Sequence, residues 1–270
     1  MIPGMVPALD RAMRLLQLLA QTPGGALRVS ELQQKLNASR ASFFRLLRML
    51  SANGWIIQDP DTGAYRFGAA VMRLGFVARD TYPLAEHARP LLREIASATH
   101  QMSELIVAVG GWRLLTLEVW TAERTPLRFR ARAGMEFFLN HLSAHGLVFL
   151  SCGNSRLLSE YERLAHTAAG RAQLGLPAVV KLSDNCARWR KLGYAWLRQS
   201  QPVGNARLSV PVYDPHSRTP SVLAALGVAC PSDDIDGIRA ARWAPLLSVL
   251  ARKLEHNLSS GHAPSLYSVG

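Results

Sequence analysis

Between Ala8 and Gln21 apolar residues recur at Leu9, Met13, Leu16 and Ala20, with Leu15 and Leu19 widening the stripe. That period predicts an amphipathic helix, which Thr22-Pro23-Gly24-Gly25 ends. Ser30 is followed three residues later by Gln33, a capping-box spacing that predicts a short helix over 31–36. Asn37 and Ala38 form a turn and Ser39 is the expected N-cap of a third helix. Phe43, Leu46, Leu47 and Leu50, at i, i+3, i+4 and i+7, set its buried face, and Asn53-Gly54 closes it. The period then shortens to that of strands. "WIIQ" and "AYRF" flank "DPDTG", a Pro/Asp/Gly turn suited to a hairpin. Three helices and a hairpin predict a winged helix-turn-helix domain over residues 1–67.

Val71, Leu74, Val77 and Ala78 continue at helical spacing, giving a linker helix over 68–82 that Pro83 closes. Beyond it the pattern mixes helices and strands. A helix at 84–99 precedes the strand-like runs "SELIVAVG", "WRLLTLEVW" and "LRFRARA". Helices follow at 143–152, 154–166 and 184–192, then the strands "GYAWL", "ARLSVPVYD" and "SVLAALGVA", and a last helix over 233–258. Sequential strands pairing as hairpins with helices on their faces predict an α+β second domain over 83–259. The polar tail 260–270 is expected to be disordered.

The wet side of the third helix carries the chemistry. If Phe43 and Leu47 are buried, Arg40, Phe44 and Arg48 project oppositely, flanked by Ser42 and Arg45. A helix entering a major groove needs such a face: hydroxyls and an aromatic near base edges, and arginines that fork onto phosphate or guanine. Arg66 on the hairpin and Arg11 near the start of the first helix would grip the backbone on either side. The competing reading is an ordinary solvated helix face. The whole chain has 31 Lys+Arg against 19 Asp+Glu, net +12, and only four of the cations are lysines. That excess suits a polyanionic partner without requiring one. Position decides more than density, because residues 1–67 hold eight cations against four acids.

Other classes are weakly supported. No run of about 18 apolar residues could span a bilayer, and the start lacks the order of a secretory signal, so a cytoplasmic location without membrane contact is expected. Cys152, Cys186 and Cys230 are odd in number and widely spaced, which suggests buried free thiols. His141 and His145 stand four apart with Cys152 seven beyond, a spacing a metal could use, yet no carboxylate accompanies them. No nucleophile elbow or phosphate loop is present, so a Cys152/His enzyme is the minor alternative. Neither a metal, a cofactor nor a catalytic residue is expected. An architectural DNA-binding protein without a ligand would need only the first domain, so the second argues for sensing.

The phrases "VPALDRAMRLLQLLA", "SRASFFRLLRMLSANGWI" and "GAYRFGAAVMRLG" resemble, in order and spacing, the N-terminal domain of the IclR family of bacterial transcription regulators. The resemblance implies that Arg11, Ser39, Arg40, Ser42, Phe44 and Arg45 fall on the family's DNA-contacting positions. "GMEFFLNHLSAHGLVFLS", "WRKLGYA", "LSVPVYD" and "VLAALGVACP" resemble the family's effector-binding domain, of GAF/PAS-like type. His141 and Gly146 match a His-x-x-x-x-Gly-Lys phrase, whereas Leu147 replaces its lysine, and "QSQPVG" stands where an acid is common. These departures resemble the subgroup that activates catabolism of phenylpropionate-type aromatic acids. The same resemblance puts Arg207, Gly227 and Ala229, with Asn140 and His141, at an effector pocket. There Arg207 would fork onto a carboxylate and the small residues would make room for a ring. Against this stands a surface arginine on an edge strand. Arg128, Arg130 and Arg132 alternate along one strand and are expected to be solvated. Double-stranded promoter DNA, a small-molecule effector, a second copy in a homodimer or homotetramer, and RNA polymerase are the partners the resemblance implies.

Overall fold

The computed structural model describes residues 6–36, 39–121, 131–178, 182–200 and 205–260, and the chain divides into two compact units, residues 1–81 and 82–270.

In the first unit α1 (Pro7–Gln21), α2 (Val29–Leu36) and α3 (Arg40–Ala52) pack around Leu15, Leu19, Leu32, Leu36, Phe43, Leu47 and Ile56, all buried. Each such side chain taken from water contributes about 1.5–3 kcal/mol, so this small core holds the unit together. α2 begins earlier than the Ser30 cap predicts. Glu31 Oε2 accepts from the Arg28 backbone N–H at 2.7 Å, so the reach-back arm of the cap comes from Glu31 rather than Gln33, and Ser30 lies inside the first turn. Ser39 does cap α3, its hydroxyl accepting from the Ser42 amide at 3.4 Å. β2 (Ile56–Gln58) and β3 (Tyr65–Phe67) form the expected antiparallel hairpin. β1 (Ala26–Leu27), a two-residue strand too short to show a period, pairs with the other edge of β3. α4 (Ala69–Thr81) completes the unit.

The second unit is built on one antiparallel sheet in the order β6-β5-β4-β9-β8-β7. Its strands are β4 (Met102–Ala108), β5 (Arg113–Trp120), β6 (Glu136–Phe138), β7 (Ala195–Ser200), β8 (Asn205–Tyr213) and β9 (Val222–Cys230). β4, β8 and β9 are buried along nearly their whole length, so they read as apolar runs rather than alternating ones. α5 (Pro83–Thr99) and α10 (Gly237–Ser260) cover one face, meeting Leu105, Leu208, Leu226 and Val228. α6 (Ala144–Cys152), α7 (Ser155–Ala165), α8 (Ala168–Leu174) and α9 (Ser183–Leu192) gather around the other face. Several expectations change. The last helix starts at Gly237, because Ser232–Asp234 form a separate 3-10 turn and Asp236 caps the helix through the Arg239 amide. α8 and β6 had no counterpart in the pattern. Arg128 and Arg130 of the expected "LRFRARA" strand lie outside the described residues, and exposed Arg132 is not in a strand. All but the first residue of the 260–270 tail lies outside them too.

Candidate functional site

On α3 the buried face is Phe43 and Leu47, with Leu46 and Leu50 half-buried beside them. The opposite face leaves Arg40, Phe44, Arg45 and Arg48 exposed, and Ser39 is exposed at the cap with Ser42 half-buried behind it. Phe44 is 38% exposed although it is a large aromatic; it rests edge-on against Phe43 at 5.5 Å and under the Arg40 guanidinium at 5.9 Å. Among the described residues neither Arg45 nor Arg48 has an ion-pair partner. Arg40, Phe44, Arg28, Gln33 and Thr62 line an open cleft of about 540 Å³ between α2, α3 and the hairpin. The hairpin turn is built on Asp59, which accepts from the Asp61 and Thr62 amides and the Thr62 hydroxyl. Those hydrogen bonds, with Arg66 nearby, hold the Asp59 carboxyl below its usual range. Arg66 is therefore not a free cation: its guanidinium is 2.7 Å from Asp59. Arg11 is half-buried on α1.

In the second unit Arg207, Gly227 and Ala229 do share one sheet face. Arg207 stands opposite Ala229 in the β8–β9 register, and Gly227 lies between Ser209 and Glu104 in adjacent strands. Arg207 is 1% exposed, so the alternative of a surface arginine is excluded. Its guanidinium already meets a carboxylate, and that carboxylate belongs to the protein. Arg207 Nε donates to Glu104 Oε1 at 2.8 Å and Nη1 to the Ser200 carbonyl at 3.1 Å. His145, on the first turn of α6, completes the cluster, with Nε2 2.8 Å from Glu104 Oε1 and Nδ1 3.0 Å from Ser209 Oγ. Burial alone would push the Glu104 carboxyl up, but the charges of Arg207 and His145 and the hydrogen bonds from both outweigh it and hold it far below 4.5. Since Glu104 is a carboxylate and accepts only, the bond between them is donated by the Nε2–H of His145.

Gly227 does not open space for a ligand ring as expected. A Cβ there would stand 2.6 Å from His145 Cε1, so the room that glycine leaves is filled by the imidazole. Asn140 and His141 are engaged locally. Asn140 donates to the Leu174 carbonyl at 3.0 Å and accepts from the Leu142 amide, fastening the loop before α6. His141 Nδ1 lies 2.7 Å from the Tyr161 hydroxyl oxygen in a hydrogen bond, and burial pushes the imidazole pKa down. His141 and His145 thus point to different partners, and no group of metal-ligating side chains converges among the described residues. Glu104 and Ser209 escaped the sequence reading, and His145 entered it only as half of a histidine pair. The available signal was a lone acid, Glu104, inside the apolar run "SELIVAVG".

A winged helix with an exposed basic helix face, joined in one chain to an α+β domain with a buried polar centre, defines a two-domain DNA-binding transcription regulator. Residues 8–60 match the family model of the IclR helix-turn-helix domain, and residues 77–256 that of the bacterial transcriptional regulator IclR C-terminal domain. The chain belongs to the IclR family of bacterial transcriptional regulators. It is 26% identical over 257 residues to the HTH-type transcriptional regulator BhcR of Paracoccus denitrificans, covering 95% of this chain and 88% of that one. It is likewise 26% identical to the glycerol operon regulatory protein of Streptomyces griseus, covering 95% and 98%. Among solved structures, the IclR regulator of Alicyclobacillus acidocaldarius superposes with a TM-score of 0.76 at 21% identity, covering 94% of this chain and 99% of that one. An IclR homologue of Microbacterium hydrocarbonoxydans, solved with 4-hydroxybenzoate, has a TM-score of 0.67 at 18% identity, covering 94% and 100%.

Proposed function

We propose that this regulator binds a palindromic promoter site through α3 and alters that binding when a small, carboxylated aromatic molecule enters the second domain, so controlling catabolic genes. The observation that carries the DNA half is the row Arg40, Phe44, Arg45 and Arg48, exposed on the side of α3 away from its core. In this reading those residues and Ser42 face base edges, while Ser39 and Arg11 hold the phosphate backbone, joined by Arg66 where a phosphate displaces Asp59 from it. Exposed apolar side chains support pairing of copies: Met72, Phe76 and Val77 on α4 and Leu9 and Met13 on α1 are each more than half exposed. A homodimer or homotetramer would place two α3 helices in successive major grooves.

The effector half is supported by the buried Arg207, with Ala229 opposite it, and by the 4-hydroxybenzoate found in a relative of the same fold. Asn140 and His141 shape the adjoining loop. A regulator rather than an enzyme is also what the thiols favour. Burial pushes Cys152 and Cys186 up and Cys230 to about 12, which leaves no activated nucleophile among them. Binding of the full chain to its own upstream DNA, at several fixed salt concentrations with and without 4-hydroxybenzoate, tests the proposal. Arg45→Ala and Arg40→Ala should weaken the complex at least tenfold. Each should flatten the log-affinity against log-salt slope by about 0.9 where the arginine holds a phosphate. Retained affinity in both variants would remove α3 as the reading element, and an operator affinity indifferent to every acid in a panel would remove the effector.

A further inference from the structure

The carboxylate that Arg207 is shaped to receive is already present. Glu104 and Arg207 are 2% and 1% exposed at their side chains, and a single oxygen, Glu104 Oε1, accepts from both Arg207 Nε and His145 Nε2 at 2.8 Å. His145 cannot drift from this arrangement easily, because it is held by Ser209 at its other nitrogen and packs into the gap that Gly227 leaves. Glu104 is therefore held in place from two sides rather than resting on Arg207 alone. A second carboxylate approaching the same guanidinium would come within contact distance of Glu104 in a region from which water is excluded, where like charges repel strongly. An uncharged molecule of the same shape meets no such repulsion.

Building on the effector reading of the Arg207 side, we propose that Glu104 is an internal competitor for the effector's carboxylate, so that an acid gains Arg207 only by displacing Glu104. Glu104 is then the residue that determines how far this regulator distinguishes acids from their neutral analogues. The acid's charge confers no net advantage while Glu104 is ionised. Glu104→Gln keeps the acceptor oxygen for His145 and Arg207 and removes only the competing charge.

The test is calorimetric titration of the full chain with 4-hydroxybenzoate and with 4-hydroxybenzamide, which differ in charge and little in shape. The wild type should bind the acid no more than about threefold tighter than the amide, or bind neither measurably. Glu104→Gln should tighten the acid at least tenfold and leave the amide unchanged, and adding Arg207→Met should abolish that gain. A structural role alone would move both ligands together, and that result overturns the proposal. So does a wild-type preference for the acid of tenfold or more, which decides the matter even if Glu104→Gln fails to fold. If neither probe binds either protein, the effector reading of this side falls and the competitor falls with it. If 4-hydroxybenzoate alters operator binding while Glu104→Gln leaves the acid-to-amide ratio unchanged, the competitor alone is overturned.

Discussion

The buried Glu104 carboxylate makes the stability of the second unit depend on pH, and Glu104→Gln removes that dependence. The Glu104 carboxyl is lowered from 4.5 to about 2, so the folded state favours its charged form more than the unfolded chain does. A depressed carboxyl contributes stability that is fully present above its unfolded pKa and is lost as pH falls towards the folded one. At about 1.4 kcal/mol per unit, the shift corresponds to a contribution on the order of 3 kcal/mol at neutral pH. By pH 3 the unfolded chain has taken up most of a proton at this site and the folded protein little, so about 2 kcal/mol of it is gone.

Glutamine does not titrate. Wild type should therefore lose about 2 kcal/mol more than Glu104→Gln between pH 6 and pH 3, while every other carboxylate contributes equally to both curves. The assay is urea unfolding followed by tryptophan fluorescence in a Trp55→Phe background. The remaining tryptophans, Trp112, Trp120, Trp189, Trp196 and Trp243, all belong to the second unit and report on it alone. Below pH 6 the two stability curves should converge. A difference that stays constant from pH 6 to pH 3 would show that Glu104 is not held as a carboxylate by Arg207 and His145, and would refute the electrostatic account of the cluster.

Two further outcomes follow from packing. Gly227→Ala would set a Cβ 2.6 Å from His145 Cε1 and 2.9 Å from the Leu208 carbonyl, and backbone cannot swing aside. A loss of about 1–3 kcal/mol in the same unfolding assay is expected, and an unchanged midpoint would show that the imidazole is not fixed there. Phe43→Ala removes a side chain with no exposed surface from the core beneath the exposed arginine face of α3. It should destabilise the first unit by about 3–5 kcal/mol, read by the fluorescence of Trp55, and leave the second unit's transition where it was. A common shift of both transitions would mean that the two units do not unfold independently.

The first unit was legible because its design is local. The stripe Phe43, Leu46, Leu47 and Leu50 lies within eight residues, and one such stripe determines both what α3 buries and what it exposes. Even its errors are local: Glu31 and Gln33 are both competent to complete a cap, and only the observed hydrogen bond to Arg28 chooses between them. Arg66 shows the limit of reasoning from type and position. It lies on the wing as expected, but Asp59, seven residues away and committed to the turn, has claimed its charge.

The second unit resists the same approach because its centre is assembled across long separations. Glu104 and Arg207 are 103 positions apart, and His145 lies 41 beyond Glu104, so no window of sequence contains the cluster. An arginine in a buried strand demands a counter-charge, since an unpaired buried cation costs several kcal/mol. That requirement could be stated from "ARLSVPV", but it has two solutions, a carboxylate brought by a ligand or one supplied by the chain. Choosing between them depends on which strand lies two places across the sheet from β8, which the order β4-β9-β8 provides and the hydrophobic pattern does not. Once that order is known, Glu104 is the acid on the same face as Arg207. The arginine that looked like an empty seat for an acid already holds one from its own chain.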